Sequence, residues 1–335
     1  MTAFISFITL ILCFVVFPVG ATAQVATFNI ATEPLYPRPS TLVTVTLNAL
    51  GMNLNQAYIT WRVDGVVVLE GAGATKYVLT TGRAGRPMTL SVNDSTQGGV
   101  VINQTKTIIP AFASIAWEAD TYVAPLFKGK PLITPSSHLR FIAITSIANS
   151  DGTEMPSDAL IYTWLEGDRE LQDRSGRGQS VLEYDNTTFT RPISIRLRVQ
   201  SPDGKITTGA AVTIPVVEPR LLVYAVTPLL GVMYQTPIDG STAIHTAEQT
   251  YVAEPYYVST PTRTDGALEY LWFAGGTQIA SQSQVTLRPP EGESGHTQVE
   301  LRFRHLERLL QTDRVEFNLN YDAVTAPASA APSAF

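Results

Sequence analysis

One local pattern occurs three times in this chain and limits the folds open to it more than any other feature. It reads Tyr58-Ile59-Thr60-Trp61-Arg62-Val63-Asp64-Gly65, then Tyr162-Thr163-Trp164-Leu165-Glu166-Gly167, then Tyr270-Leu271-Trp272-Phe273-Ala274-Gly275. The tryptophans are about 105 residues apart, the length of one small domain. Pro34-Leu35-Tyr36, Pro125-Leu126-Phe127 and Pro228-Leu229-Leu230 stand upstream of them. Alternating segments follow at Leu90–Val92, Ile195–Val199 and Leu301–Arg304. Each of these leads through a turn to one last segment, at Thr105–Ile109, Ala211–Val217 and Arg314–Leu319. Landmarks in the same order three times make the chain a tandem array.

Within each unit the apolar period is two. Val299, Leu301 and Phe303 alternate with Glu300, Arg302 and Arg304; Val315, Phe317 and Leu319 alternate with Arg314, Glu316 and Asn318. Such segments are strands with one buried and one wet face. Turn formers separate them, among them Asp64-Gly65, Asp151-Gly152, Pro202-Asp203-Gly204 and Asp265-Gly266. Many short strands per hundred residues, with no long helical pattern, predict an all-β chain of tandem sandwiches.

A tyrosine close ahead of a tryptophan, a glycine-bearing turn, an alternating Val/Leu strand and an Asp-Gly hairpin resemble the PKD-like and bacterial immunoglobulin-like modules of exported proteins. The resemblance implies immunoglobulin-like sandwiches with Trp61, Trp164 and Trp272 in their cores. It implies no catalytic residue, cofactor or ligand. The repeats predict modules at 24–113, 114–219 and 220–322, with a low-complexity Ala/Pro/Ser tail at 323–335 that is expected to be unstructured. The junctions, Ile109-Pro110-Ala111 and Ile214–Pro219, carry proline rather than Gly/Ser. Proline restricts φ, which favours a semi-rigid rod.

Residues 1–23 are a separate object. Phe4–Phe17 is a nearly unbroken apolar run, followed by Pro18, Gly20 and Ala21-Thr22-Ala23 before Gln24. That order describes a cleavable export signal, although no Lys or Arg precedes the run; an uncleaved anchor is the competing reading. The expected location is therefore outside the cytosol: extracellular, on the cell surface or periplasmic. Cys13, the only cysteine, lies inside the signal. The rest of the chain can form neither a disulfide nor a cysteine metal site, so packing alone must hold it. With 44% hydrophobic and 16% charged residues it has the material to do so. A net charge of −6 argues against a nucleic-acid partner.

The sequence has no Gly-x-Ser-x-Gly, His-Glu-x-x-His, phosphate-loop or Gly-x-Gly-x-x-Gly motif. His138, His245, His296 and His305 lack metal-ligand spacing and read as surface residues. Asn149–Glu154 with Asp158 approximates a calcium loop, but Ile147 occupies the first ligand position and a plain Asp-Gly turn explains it equally well. Arg196/Arg198 and Arg302/Arg304 fall on solvent faces of equivalent strands. They read either as a ladder for acidic polysaccharide or a partner's carboxylates, or as cross-strand pairs, for example with Glu316. Tyr251, Tyr256 and Tyr257 around Pro255 read as a sugar-stacking platform or as strand residues split between core and rim, with Pro255 at an edge or bulge. Asn93, Asn103 and Asn186 lie in Asn-x-Ser/Thr sequons. The expected function is a non-catalytic structural and interaction protein, with adhesion or surface assembly as its setting. Its partner is a protein or a polysaccharide; the alternative is a glycan-binding accessory protein using the Arg or Tyr residues.

Overall fold

The computed structural model describes residues 27–50, 53–94 and 103–323. The expected signal at 1–23, Cys13 in the same stretch and the tail beyond Ala323 lie outside them. Strands β1–β7 are Thr27–Glu33, Leu42–Leu50, Tyr58–Val63, Val66–Ala72, Lys76–Thr80, Met88–Asp94 and Asn103–Ile108. They form two sheets, ordered β1-β2-β5 and β4-β3-β6-β7. Strands β8–β15 are Phe112–Ala119, His138–Ser146, Ile161–Glu166, Arg169–Glu170, Gly176–Arg177, Val181–Asp185, Ile193–Gln200 and Thr207–Ile214. Their sheets run β13-β9-β8 and β11-β10-β14-β15, with β12 also on β10. Strands β16–β24 are Arg220–Thr227, Gly231–Pro237, Gly240–Ile244, Gln249–Tyr256, Leu268–Ala274, Thr277–Ala280, Gln284–Leu287, Gly295–His305 and Thr312–Tyr321. Their sheets run β17-β16-β19-β22 and β18-β24-β23-β20-β21, with β18 parallel to β24.

One plan underlies all three sheet pairs. The first two main strands pair with each other, and the chain then crosses to the facing sheet with the tryptophan strand (β3, β10 or β20). That strand pairs with the next-to-last strand, which pairs with the last. Crossing between sheets at this point is the immunoglobulin-like order. The period of two sets which side chains turn inward. On β14, Ile193, Ile195, Leu197 and Val199 are buried while Arg196 and Arg198 stand outside; on β23, Val299, Leu301 and Phe303 are buried between Arg302 and Arg304. The last strand of the second pair ends at Ile214, short of the expected 211–217, because Pro215 has no N–H to continue the ladder.

Three clusters of buried side chains fill these pairs, each around one fully buried tryptophan. The indole N–H groups of Trp61, Trp164 and Trp272 donate to the carbonyls of Ala74 (2.7 Å), Gln179 (2.8 Å) and Gln282 (2.8 Å). In each case the acceptor precedes β5, β13 or β22 on the facing sheet. One side chain thus fills the core and ties the two sheets together through a satisfied polar handle. Asp64 and Gly65, at φ +50° and +85°, make the two-residue β3–β4 hairpin, whose twist needs positive φ at both positions.

The Cα packing divides the chain into two compact units. One holds β1, Leu42–Thr80 and Met88–Ile108; the other holds Tyr36–Thr41, Thr81–Pro87 and the described residues from Ile109 on. Inside the second unit, residues 120–135 join the second core to the third. Tyr122 and Val258 form an isolated antiparallel bridge, with N–H to O distances of 2.7 Å in both directions around it. The amide of Gln311, fully buried, donates to Pro135 O (2.9 Å) and accepts from Ser259 N (2.8 Å), and Arg308 pairs with Asp120 at 3.0 Å.

Candidate functional site

β19 is where this fold departs from a simple sandwich. Tyr251 and Ala253 point into the third core, while Val252 and Tyr256 belong to a separate buried cluster on the opposite face, with Ala124 and Tyr224. Between them Glu254 is fully buried. Its carboxylate accepts from the hydroxyls of Tyr122 (2.5 Å) and Tyr234 (3.2 Å) and pairs with Arg263 Nη1 at 3.0 Å. Burial first, then the bond to Glu254, holds the Tyr122 hydroxyl protonated far above its ordinary range. A buried carboxylate persists only with such partners.

Over this cluster lies a groove of about 390 Å³. Leu222 and Tyr224 of β16, Tyr234 of β17 and Tyr256 at the end of β19 line it, with Tyr257 beside them and Pro125–Lys128 opposite. The rings form a tight edge-to-face set. Phe127 meets Tyr256 at 5.6 Å and Tyr257 at 6.1 Å, Tyr224 meets Tyr234 at 5.3 Å, and the Tyr224 and Tyr256 hydroxyls are 3.0 Å apart. Burial raises the Tyr224, Tyr234 and Tyr256 hydroxyls above their usual range, so they stay neutral. The formal charge of the lining is that of Arg220 and Lys128, both exposed.

Two lining residues are held in left-handed backbone, Leu126 at φ +67° and Tyr257 at φ +61°. The other described non-glycine residues there are Ser40, Asp64 and Ser136, all small or polar. For a bulky side chain this conformation costs roughly 1–3 kcal/mol and persists only where neighbours enforce it. Tyr257 is fixed by its N–H to Tyr122 O, and Leu126 sits in a turn closed by Phe127 N–H to Ala124 O at 3.2 Å. Leu126 is 86% exposed at the rim.

Of the tyrosines picked from sequence, Tyr256 and Tyr257 lie in the groove. Tyr251 does not: it is fully buried in the third core, where burial pushes its hydroxyl up to about 12. Pro255 lies on a strand with neighbours on both sides, but β22 pairs only as far as Val252, so no ladder bond is asked of the missing N–H.

The arginines are not gathered into one ladder. Arg196 bonds Gly167 O (2.8 Å from Nε) and pairs with Asp168; Arg302 clamps Glu300 at 2.5 and 3.0 Å and lies over Phe273; Arg304 pairs with Glu269 directly across on β20 at 2.5 Å. Glu316 approaches Arg314 instead, at 3.9 Å. Arg198 is exposed, with no ion pair among the described residues.

His305 is not on the surface. It is buried, and its Nδ1 accepts from the backbone of Glu307 and Arg308 in the turn before β24. His138 lies between Asp185 (2.7 Å) and Glu183 (2.9 Å). Asn149–Glu154 is a self-bonded turn, with Gly152 N donating to Asn149 O and Thr153 N to Asp151 Oδ1. Among the described residues no cluster of three or more His, Cys, Asp or Glu is placed to hold a metal. Asn186 is buried, donating to Thr134 O at 2.8 Å.

Sequence reading missed Phe127, Arg220, Tyr224 and Tyr234, which come from separate stretches of the chain. One signal was available: Val252-Ala253-Glu254-Pro255-Tyr256 breaks the alternation expected of a half-wet strand.

The sheet order and the three tryptophan cores define a tandem immunoglobulin-like β-sandwich protein. Neither a protein-family model nor a curated protein matches its sequence. Among solved structures it is similar to three N-terminal domains of the bacteriophage RB49 Highly Immunogenic Outer Capsid protein. The identity is 12%, covering 90% of this chain and 99% of that one, with a TM-score of 0.23. It is also similar to the central fibronectin-III array of RIM-binding protein, at 12% identity, 90% and 96% coverage and TM-score 0.27. A third is Bacteroides ovatus SGBP-B in complex with a mixed-linkage heptasaccharide, at 13% identity, 92% and 69% coverage and TM-score 0.21. At these TM-scores the likeness carries no argument about this chain.

Proposed function

We propose that this is an exported, non-catalytic interaction protein that engages a surface partner through the tyrosine-lined groove over β16 and β19. The observation that carries the reading is the pairing of Leu126 and Tyr257 in strained backbone on one apolar groove. Strain in two bulky residues at a single concave site supports a binding role, because packing alone would favour residues at ease there. The three cores are read as three modules, 24–113, 114–219 and 220–322. The first joint is drawn back to Ile109–Ala111, since Ala111 and Ala113 pack in the second core.

The test is retention of the purified protein on envelope or wall material from the producing cells, with Leu126→Ser and Tyr257→Ser as variants. A drop of tenfold or more with unchanged melting supports the groove; undiminished retention by both variants overturns it. Export is tested separately by N-terminal sequencing of fractionated cells. A start at Gln24 outside the cytosol supports it, and an intact Met1 in the cytosol removes it.

A further inference from the structure

The charge on the groove rim narrows the ligand class, and this step rests on the groove being the binding site. The chain as a whole is acidic, at −6, and Arg196, Arg263, Arg302, Arg304 and Arg308 are each paired with a carboxylate. Arg220 and Lys128, like Arg198, have no ion-pair partner among the described residues, and these two line the groove. The Tyr257 hydroxyl likewise has no hydrogen-bond partner among the described residues. Two free cations and a free hydroxyl bordering an aromatic surface are complementary to a ligand with apolar C–H faces, hydroxyls and a carboxylate.

The position of the groove bears on the rest. β16 pairs with β19 from Arg220 to Val226, but with β17 only at Tyr224, Val226 and Thr227; nearer the groove Leu221 N donates to the Asp313 carboxylate and Val223 O accepts from Ile238 N. An extended peptide gains affinity by adding to a continuous free sheet edge, and at the groove the β16 edge is already interrupted by Asp313 and Ile238. We propose that the groove takes an acidic saccharide, a uronic-acid residue of a polysaccharide. Its ring packs against Phe127, Tyr256 and Tyr257, and its carboxylate is held by Arg220 and Lys128.

The experiment titrates the full chain, by calorimetry, with tetrasaccharides of galacturonate, glucuronate and mannuronate. The comparison ligands are their carboxyl methyl esters and a hexaglutamate peptide. At least one uronate should bind, weakening tenfold or more on esterification and in Arg220→Ala/Lys128→Ala, and less steeply in Tyr257→Phe. Affinity should fall with added salt. Both cations are exposed, so an unchanged melting temperature serves as the folding control. Equal binding of acid and ester, tighter binding of hexaglutamate, or indifference to the double variant overturns the assignment. If no uronate binds while Leu126→Ser and Tyr257→Ser still lose retention on surface material, the acidic-sugar inference falls and the groove stands. If those variants retain fully, both fall.

Discussion

β9 and β19 occupy the same place in their sheet pairs, each the second main strand, and they are buried in different ways. β9 alternates: Leu139 and Phe141 are buried, and on the other face His138 and Arg140 reach Glu183, Asp185 and Glu118 in solvent. β19 is covered on both faces. Tyr251 and Ala253 lie under the facing sheet, while Val252, Glu254 and Tyr256 lie under β17 side chains, Arg263 and residues 122–127. A sheet face that is ordinarily wet has become the floor of a second packed layer. The same kinds of polar contact therefore carry different weight on the two strands. Around β9 water shares them; around β19 a charge has lost its hydration and depends on its partners.

The sharpest way to break that comparison is Glu254→Ala, which strands Arg263 and two tyrosine hydroxyls. It should cost about 3–5 kcal/mol in denaturant unfolding. Trp164→Ala and Trp272→Ala should cost a similar ~3–5 kcal/mol each, and nearly the same as one another, since both indoles are fully buried with one carbonyl partner. A wide gap between them would mean that the added layer over β19 stiffens the core beneath it. Tyr122→Phe removes only the hydroxyl bonded to Glu254 and should cost about 1.5–3 kcal/mol by the same measurement. Glu183→Ala, the β9-side counterpart, removes exposed contacts to Arg140 and His138 and should cost under ~1 kcal/mol. An equal loss for Glu254→Ala and Glu183→Ala would end the distinction.

The smallest effect is one of pH. Hydrogen bonding to Asp185 raises the His138 pKa, with desolvation opposing and Glu183 adding to the rise. A raised folded-state pKa means the contribution is fully present below the unfolded value of about 6.5 and is lost as pH rises through the folded value. With His138 partly exposed, solvent screening should keep it below about 0.5 kcal/mol. An NMR titration of the ring should find its midpoint above 6.5, and Asp185→Asn should bring it down.

The fold was legible at Trp61, Trp164 and Trp272 because burial of a large indole recurs with the repeat and leaves a local imprint, a tyrosine before and a glycine turn after. The groove was only half legible. Tyr256 and Tyr257 drew notice by their clustering, but Tyr251, five residues before Tyr256, faces the opposite side of the sheet. Phe127 belonged to a recognised repeat, Pro125-Leu126-Phe127, whose third counterpart, Leu229-Leu230, is exposed at a hairpin tip at 96% and 75%. Nothing local marks which copy of that motif meets another surface.

Periodicity and repetition by themselves determined that this chain is all β, where most strands run, which faces turn inward and which side chains anchor the cores. Those outcomes follow from alternation along one strand, which is written residue by residue. Only the tertiary structure decided that the outer face of β19 is covered, that Glu254 meets Arg263 and Tyr122, and that Arg220 and Lys128 flank one aromatic groove. Those groups are up to about 140 residues apart along the chain, and packing between different elements, which no local pattern records, brings them within reach of one another.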